Sequence, residues 1–440
     1  MKHPEYSSYK EIVCDWLNSI PQEWRIMRFR YTFSESDERI DGDVFGPMLS
    51  VSGYRGIELK AYDDENRRRL PEELQGYRVV RRGQLVINTM WMNFAGLGIS
   101  DFDGHVSPAY RSYNICDIIY PRFAHYLLRS NIYITAYKAF LTGIRPNSLQ
   151  MSRDDLMNFP ILLPPIVDQR AIATFLGHET AKIDALIAEQ ERLIALLNEK
   201  RQAVISHAVT KGLDPRAPMK ESGVEWIGKV PEHWIVTTAK RVSTIFVPQR
   251  NKPELNADGN GVCWVTMENM SLPEITATEL WVSDDAALEA GSRILKAGAV
   301  IGSCVGLFGA ASINRTDVII NQQLQAFIPH TQMLAEFLRY LVAGSSCYFN
   351  KIGTAATLIY VNQLGFQNLP VVVPPRYEQV AIVAFAECET AKFAVLINEM
   401  QRSIILLQER RAVLISAAVT GKVDVRELVE NTAPVQAVAA

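Results

Sequence analysis

The chain's 440 residues leave room for two or three domains, and 48% hydrophobic with 21% charged residues is an ordinary globular composition. A net charge of −3 excludes a polyanion binder that works by bulk basic charge. The six cysteines show neither CxxC spacing nor a neighbouring histidine cluster, which argues against a zinc site or a disulfide framework and for free thiols in a reducing compartment.

At the start, "MKHPEYSSYKE" lacks the apolar core of a signal peptide, so a cytoplasmic location is expected. Residues 1–162 mix short β-like runs with brief helical segments and read as a first compact α+β domain. Trp24, closing "SIPQEW", is expected to anchor that domain's start. In "YRVVRRGQLVI" (77–87) an apolar run breaks at Gly83, a turn glycine. Arg67, Arg68 and Arg69 form a basic run, with Arg78, Arg81 and Arg82 nearby.

Residues 163–212 read as a long helix. Asp168, after "PPIV", is its expected N-cap, and Gly212 and Pro215 stop it. The span is about 40 residues, on the order of 60 Å, and a helix that long needs something packed along it. Ile183, Ile187, Ile194 and Leu197 alternate by four and three with Gln190 and Arg201, which is a coiled-coil seam. Leu186, Leu193 and Leu196 widen the stripe enough for a third surface to dock.

Residues 213–372 read as a linker and a second α+β domain, opening after Trp234 and turning at Gly298 in "SRILKAGAVIG" (292–302). "AGAVIGSCVGLFGAASI" (297–313) is uncharged, but its four glycines fit buried strands better than a membrane span. Residues 373–424 carry a second long helix, with Glu378 at its cap and Phe393, Ile397, Ile404, Leu407 and Arg411 along its seam. Residues 425–440 are expected to be an unstructured tail.

The second half repeats the first at an offset of 210. "NFPILLPPIVDQRAIATF" (158–175) returns as "NLPVVVPPRYEQVAIVAF" (368–385), and "SIPQEW" as "KVPEHW". Between the shared blocks, 25–157 and 235–367 are equal in length and nearly unrelated in sequence. The layout is therefore variable domain, shared helix, variable domain, shared helix. Matched seams favour packing of the helices against each other over burial of each in its own domain. Helix one ends where the second domain begins and helix two begins where it ends; domain termini lie close together, so the pair should run antiparallel. The expected fold is α+β: two globular recognition domains separated by two long antiparallel coiled-coil helices, with a pseudo-twofold internal repeat. Two unlike heads on a rigid spacer suit a split DNA site, whose groove faces recur every turn of roughly 34 Å.

The order of "GVEWIGKVPEHW" (223–234), Pro374-Pro375, Glu378-Gln379 and the following "ETAK" helix resembles the specificity subunit of type I restriction–modification enzymes. The first copy departs slightly, with "VCDWLNSIPQEW" (13–24) and Asp168-Gln169. The resemblance spans about residues 9–424. It implies that each variable domain is a target recognition domain reading one half of an asymmetric bipartite site in double-stranded DNA. It implies that the helices set the gap between halves and dock two methyltransferase subunits, with restriction/translocase subunits completing the complex. S-adenosylmethionine, ATP and Mg would belong to those partners, and this non-catalytic chain would carry none. The sequence holds no GxxxxGK[ST] loop, no [ND]PP[YF] methyltransferase motif, no HExxH and no GxSxG, and its histidines are dispersed.

Base readout needs side chains on loops. In the first domain the candidates are Asn93 in "NTMWMNFAG" (88–96), Tyr110 and Arg111 in "SPAYRSYN" (107–114), and Arg145 and Asn147 in "TGIRPNSLQ" (142–150). In the second they are Gln322 and Gln323 in "NQQLQ" (321–325), with Lys351 and Asn362 around "GTAATLIYVNQ" (353–363). Strand caps and solvent-facing loop positions are the alternative for each. Arg201 and Arg411 are costly at a seam unless paired, and crossed pairs with Glu199 and Glu409 would satisfy them. A coiled-coil scaffold with two protein-binding heads is the competing functional class. No membrane partner is expected.

Overall fold

The computed structural model of the chain describes residues 4–12, 14, 16–53, 55–61, 70–142, 150–306, 308–353 and 359–430. The chain divides into two compact units, one up to Gln190 and from Gln401 onward, the other Glu191–Met400. The division falls inside both long helices, Ile166–Lys211 of 46 residues and Arg376–Val419 of 44.

In the first unit, strand β1 (Arg25–Arg28) pairs antiparallel with β6 (Pro160–Leu163), which feeds the first long helix. The intervening chain forms an antiparallel sheet from β2 (Phe33–Ser36), β3 (Leu85–Ile87), β4 (Leu97–Ile99) and β5 (Arg111–Ile115), in the order β2-β5-β3-β4. Helices Pro121–Leu128 and Asn131–Phe140 cover it, so Phe123, Leu127, Tyr133 and Tyr137 share a core with Phe29, Leu85 and Tyr113. Ile172 and Leu176 of the first long helix enter that core beside Ile415, Ala418 and Val419 of the second.

The second unit repeats the plan. Strand β7 (Ile235–Thr238) pairs with β13 (Pro370–Val373) in the register of β1 and β6 shifted by 210: Pro160 faces Arg28, and Pro370 faces Thr238. Its sheet joins β8 (Ser243–Phe246), β9 (Glu274–Ile275), β10 (Val300–Ser303), β11 (Ala311–Asn314) and β12 (Leu324–Pro329) in the order β8-β12-β10-β11-β9. Here Ile205, Ala208 and Val209 of the first long helix share the core with Ile382 and Ala386 of the second. Each unit thus joins the start of one helix to the end of the other, which is antiparallel pairing. Gly83 and Gly298 both turn the chain with φ of +88° and +93°, and each donates its N–H across the sheet, to Ser100 and Asn314.

The uncharged stretch 297–313 supplies β10 and β11, every residue of both strands being buried. No helix among the described residues is long and apolar enough to cross a membrane. Two expectations need correction. Both long helices begin two residues before the expected caps, directly after Pro165 and Pro375, so Asp168 and Glu378 sit inside the first turn. There the unpaired N–H groups favour a carboxylate. The segment after 424 is not wholly without structure: Arg426–Glu430 is helical, Val425 is fully buried, Leu428 packs on the first core, and the Asp424 N–H donates to Pro4 O at 2.8 Å. Apolar burial explains it. Residues 431–440 lie outside the described residues.

Candidate nucleic-acid interface

Each head is fixed to its long helix by one glutamine. Gln169 is fully buried; its Oε1 accepts from the Tyr120 N–H at 2.6 Å and its Nε2 donates to Ile118 O and Pro164 O. Gln379 makes the same three bonds, from the Leu334 N–H and to Gln332 O and Pro374 O. A buried amide with both ends satisfied is stable and specific in orientation. It locks the helix start to the first covering helix of the head, which explains the "DQ" and "EQ" that follow each Pro-Pro.

A buried tryptophan stands beside each glutamine. Trp234 is fully buried, and its Nε1 donates to Glu378 Oε2 at 2.8 Å, while His233 Nε2 lies 2.6 Å from Oε1. Burial raises the Glu378 pKa, but Trp234 and His233 outweigh it and hold the carboxyl below its usual range. Asp168 is one methylene shorter. The Trp24 N–H still eases its burial, yet Trp24 Nε1 and Asp168 Oδ2 form no well-aligned hydrogen bond, and burial leaves the Asp168 pKa raised.

The loops singled out from sequence converge at one end of each sheet. In the first unit Arg111 opens β5 directly opposite Ile87, the last residue of β3, so loop 88–96 springs from beside it. Gln150, on the hairpin Leu141–Thr142/Gln150–Met151, reaches the same loop through Nε2 to Thr89 Oγ1 at 3.2 Å. Arg145 and Asn147 fall between these two strands in sequence and lie outside the described residues, as do Arg67, Arg68 and Arg69. In the second unit the Cys304 N–H donates to Gln323 O, the Val361 N–H to Cys304 O, and the Gly306 N–H to Ile359 O. The turn 321–323, the chain after β10 and residues 359–361 are thereby laced together at the equivalent end.

Individual candidates fare differently. Gln322 and Gln323 are exposed at this end, Gln322 giving its amide to Arg250 O at 3.1 Å. Tyr110 is half-buried against a small apolar cluster. Asn93 is half-buried in the turn Met92–Phe94, its Oδ1 enclosed and unpartnered. Asn362 caps the helix Gln363–Gln367, accepting from the Gly365 N–H at 3.1 Å. Lys351 pairs with Glu225 of the segment leading into the head, at 2.7 Å and well exposed.

Arg111 belongs to a charged hub invisible in the sequence. Glu35, on β2, is held by Arg111 at 2.7 Å, Arg153 at 3.1 Å and Arg78 at 3.5 Å. Burial pushes Glu35 up, but the three guanidinium groups outweigh it and keep its pKa low. Arg78 is buried, whereas Arg111 and Arg153 keep 33% and 62% of their side chains exposed. The hub holds two guanidinium groups in fixed positions at the surface where the loops meet. Glu35 and Arg153 were missed because their partners lie 43 to 118 residues apart in sequence.

Along the helices, Ile183, Ile187 and Phe393 are buried, and Ile194, Leu197, Ile397, Ile404 and Leu407 are half-buried. Leu186 and Leu196 stay about half exposed, as do Val395, Ile405 and Leu406. Arg411 pairs with Asp184 at 2.9 Å, and not with Glu199 as expected, because the antiparallel register brings the Asp184 turn to it. Among the described residues no group of three His, Cys, Asp or Glu side chains could hold a metal ion.

Residues 231–387 match the family described as the Type I restriction modification DNA specificity domain. The chain is 22% identical over 283 residues to the StySPI type I restriction enzyme specificity subunit of Salmonella potsdam, covering 61% of this chain and 58% of that one. It is 30% identical over 92 residues to the EcoKI specificity subunit of Escherichia coli K12, covering 21% and 19%. The matches thus span between 19% and 58% of the length of these curated relatives. A solved chain from work on complex assembly and conformational transition of a type I R-M system shares the fold, with TM-score 0.63, 18% identity, and 92% and 99% coverage. With the duplicated head-and-helix plan, these matches make the chain similar to type I restriction–modification specificity subunits, the family match itself covering residues 231–387.

Proposed function

We propose that this chain is the DNA-recognition subunit of a type I restriction–modification complex. Each head reads one half of an asymmetric bipartite site, and the paired helices set the unspecified gap. The carrying observation is the convergence of unlike loops on the same end of the same sheet in both units. A shared scaffold with exchanged loop chemistry is what two different half-sites demand. The half-exposed leucines and isoleucines along both helices are surfaces for two methyltransferase subunits. Those partners, with restriction/translocase subunits, would bring S-adenosylmethionine, ATP and Mg, and the chain itself would do no chemistry. The net charge of −3 fits a subunit that shares phosphate contacts with larger partners.

The test is a map of methylated adenines in DNA from cells expressing this chain with a methyltransferase subunit. One asymmetric motif, two short halves around a fixed gap, is the expected result. A one-turn insertion in a long helix should lengthen the gap and leave the halves alone. Changed halves would defeat the division of labour.

A further inference from the structure

We infer that the first head carries an apolar wedge, Trp91 with Phe94, which enters the DNA at a base step of the first half-site and partly unstacks it. The inference rests on the DNA-reading function proposed above and adds an exposed Trp–Phe pair that the described residues of the second head do not repeat. Trp91 and Phe94 are 54% and 62% exposed, large fractions for such side chains, and their rings meet edge-to-face with centroids 6.0 Å apart.

The loop beneath them is rigid. Met92 is buried in the core, and Phe94 and Gly96 donate their N–H groups back to Trp91 O at 3.0 and 2.8 Å. Ala95 takes a left-handed φ of +54°, the only such non-glycine among the described residues. Strain of that kind persists where surrounding structure holds it for a purpose. Arg129 supplies the hold. Its guanidinium donates to Ser52 O, Ala95 O and Leu97 O, and to Gly53 O at 2.8 Å, fastening loop 88–96 to the turn after Ser52. Gly53 permits this contact, since a Cβ there would meet Phe94 O at 2.5 Å. Two exposed aromatic rings are thus held on a stapled turn, with little entropy left to lose on binding.

The surroundings select a nucleic acid. The same turn walls a cleft of about 600 Å³ whose lining includes Arg55, Arg122, Arg129 and Arg411 against one carboxylate, Asp184. His125 in its lining is kept neutral by burial and by Arg129, Arg122 and Arg411, with its pKa down to about 3. Two rings are far too small a patch for a stable protein interface, which needs roughly 800 Å² per partner. Apolar side chains beside arginines are the combination that kinks a duplex. In the second unit the corresponding loop turns its aromatic inward: Phe308 packs against Phe349, 5.6 Å between centroids.

The test uses the full chain assembled with its methyltransferase subunit and duplexes of the mapped site, carrying 2-aminopurine at each position of one half in turn. With the mapped methylation-target adenines left unsubstituted, because the methyltransferase flips them, wild-type complex should raise emission at one step of the first half-site only. W91A/F94A should abolish that rise and weaken binding roughly tenfold or more, while W91F retains both. Unstacking at no step in a sequence-selective complex, or unchanged unstacking with W91A/F94A, overturns the wedge and leaves DNA reading intact. Failure of W91A/F94A to assemble with the methyltransferase, while W91F assembles, makes the rings a protein anchor and also overturns it. Absence of any sequence-selective binding by wild type rejects the DNA-reading function itself.

Discussion

Where the first unit places Glu35, the second places Ile245, at the same point of the same strand. Where the first places Arg111 on the neighbouring strand, the second places Gln325, fully buried with its amide near Val361 O. Arg153 corresponds to Gln363. The first four strands of each sheet repeat in order, the second unit adding a fifth, while the chemistry at the sheet end changes from a charged hub to neutral amides. The plan is held by what lies beneath the sheets: the paired strands, the buried glutamine and the tryptophan. Because those elements carry the stability, the loop end is free to diverge. A duplicated scaffold can in this way present two chemically different loop ends without two folding problems.

Breaking the hub should have the largest effect. Glu35→Ala strands Arg78 in a buried position, so we expect a loss of about 3 kcal/mol in urea unfolding of the full chain. Ile245→Ala at the matching place should cost only about 1 kcal/mol, as for trimming a partly buried side chain. Equal losses would show that the hub contributes no more than packing.

The glutamines make the opposite forecast, that the units behave alike. Gln169→Ala and Gln379→Ala each orphan a buried backbone N–H and remove two further bonds, at about 2 kcal/mol apiece. A difference above about 1 kcal/mol between them would mean that the shared motif does unequal jobs, since similar sites differ by less.

The tryptophan pairs sharpen the comparison further. Asp168→Glu should let the carboxylate reach Trp24 and stabilise the first unit by about 1 kcal/mol, and Glu378→Asp should cost the second a similar amount. Acid acts with opposite sign on the two. Glu378, lowered from 4.5, contributes stability above that value and loses it as pH falls through its folded pKa. Asp168, raised from 3.8, is unfavourable at neutral pH and is relieved as pH falls through its folded pKa to 3.8. Stability–pH profiles of the wild type and the Asp168→Glu chain should therefore diverge below about pH 5.

The smallest effect concerns the seam. Arg411 has Asp184, but the equivalent partner for Arg201 would be Ala394. Arg411→Leu should cost about 0.5 kcal/mol, modest because the pair is partly exposed, and Arg201→Leu should be neutral or slightly stabilising. Double-mutant cycles with Asp184→Ala would expose any other distribution.

Much of this molecule was legible in the chain alone. A 210-residue repeat, two Pro-Pro helix starts and a four–three seam determine two heads, two long helices and their pairing, because local periodicity and buried apolar faces are short-range signals. The turn glycines and the anchoring tryptophans follow for the same reason. The loops proposed for readout were also visible as loops, since Asn, Tyr and Arg cluster there around glycine turns. Which side chains those loops present was decided only by tertiary structure. Arg111 lies beside Glu35 because two strands distant in sequence pair; Asn362 is occupied as a helix cap; Lys351 is engaged by Glu225; Arg411 finds Asp184 through the register of the helices. Trp91 and Phe94 lie in the loop 88–96 that the sequence singled out for Asn93, and they are exposed because Met92 is the buried residue of that turn. Hydrogen-bond and ion-pair partners are chosen by geometry across long sequence separations, and no local pattern encodes that choice.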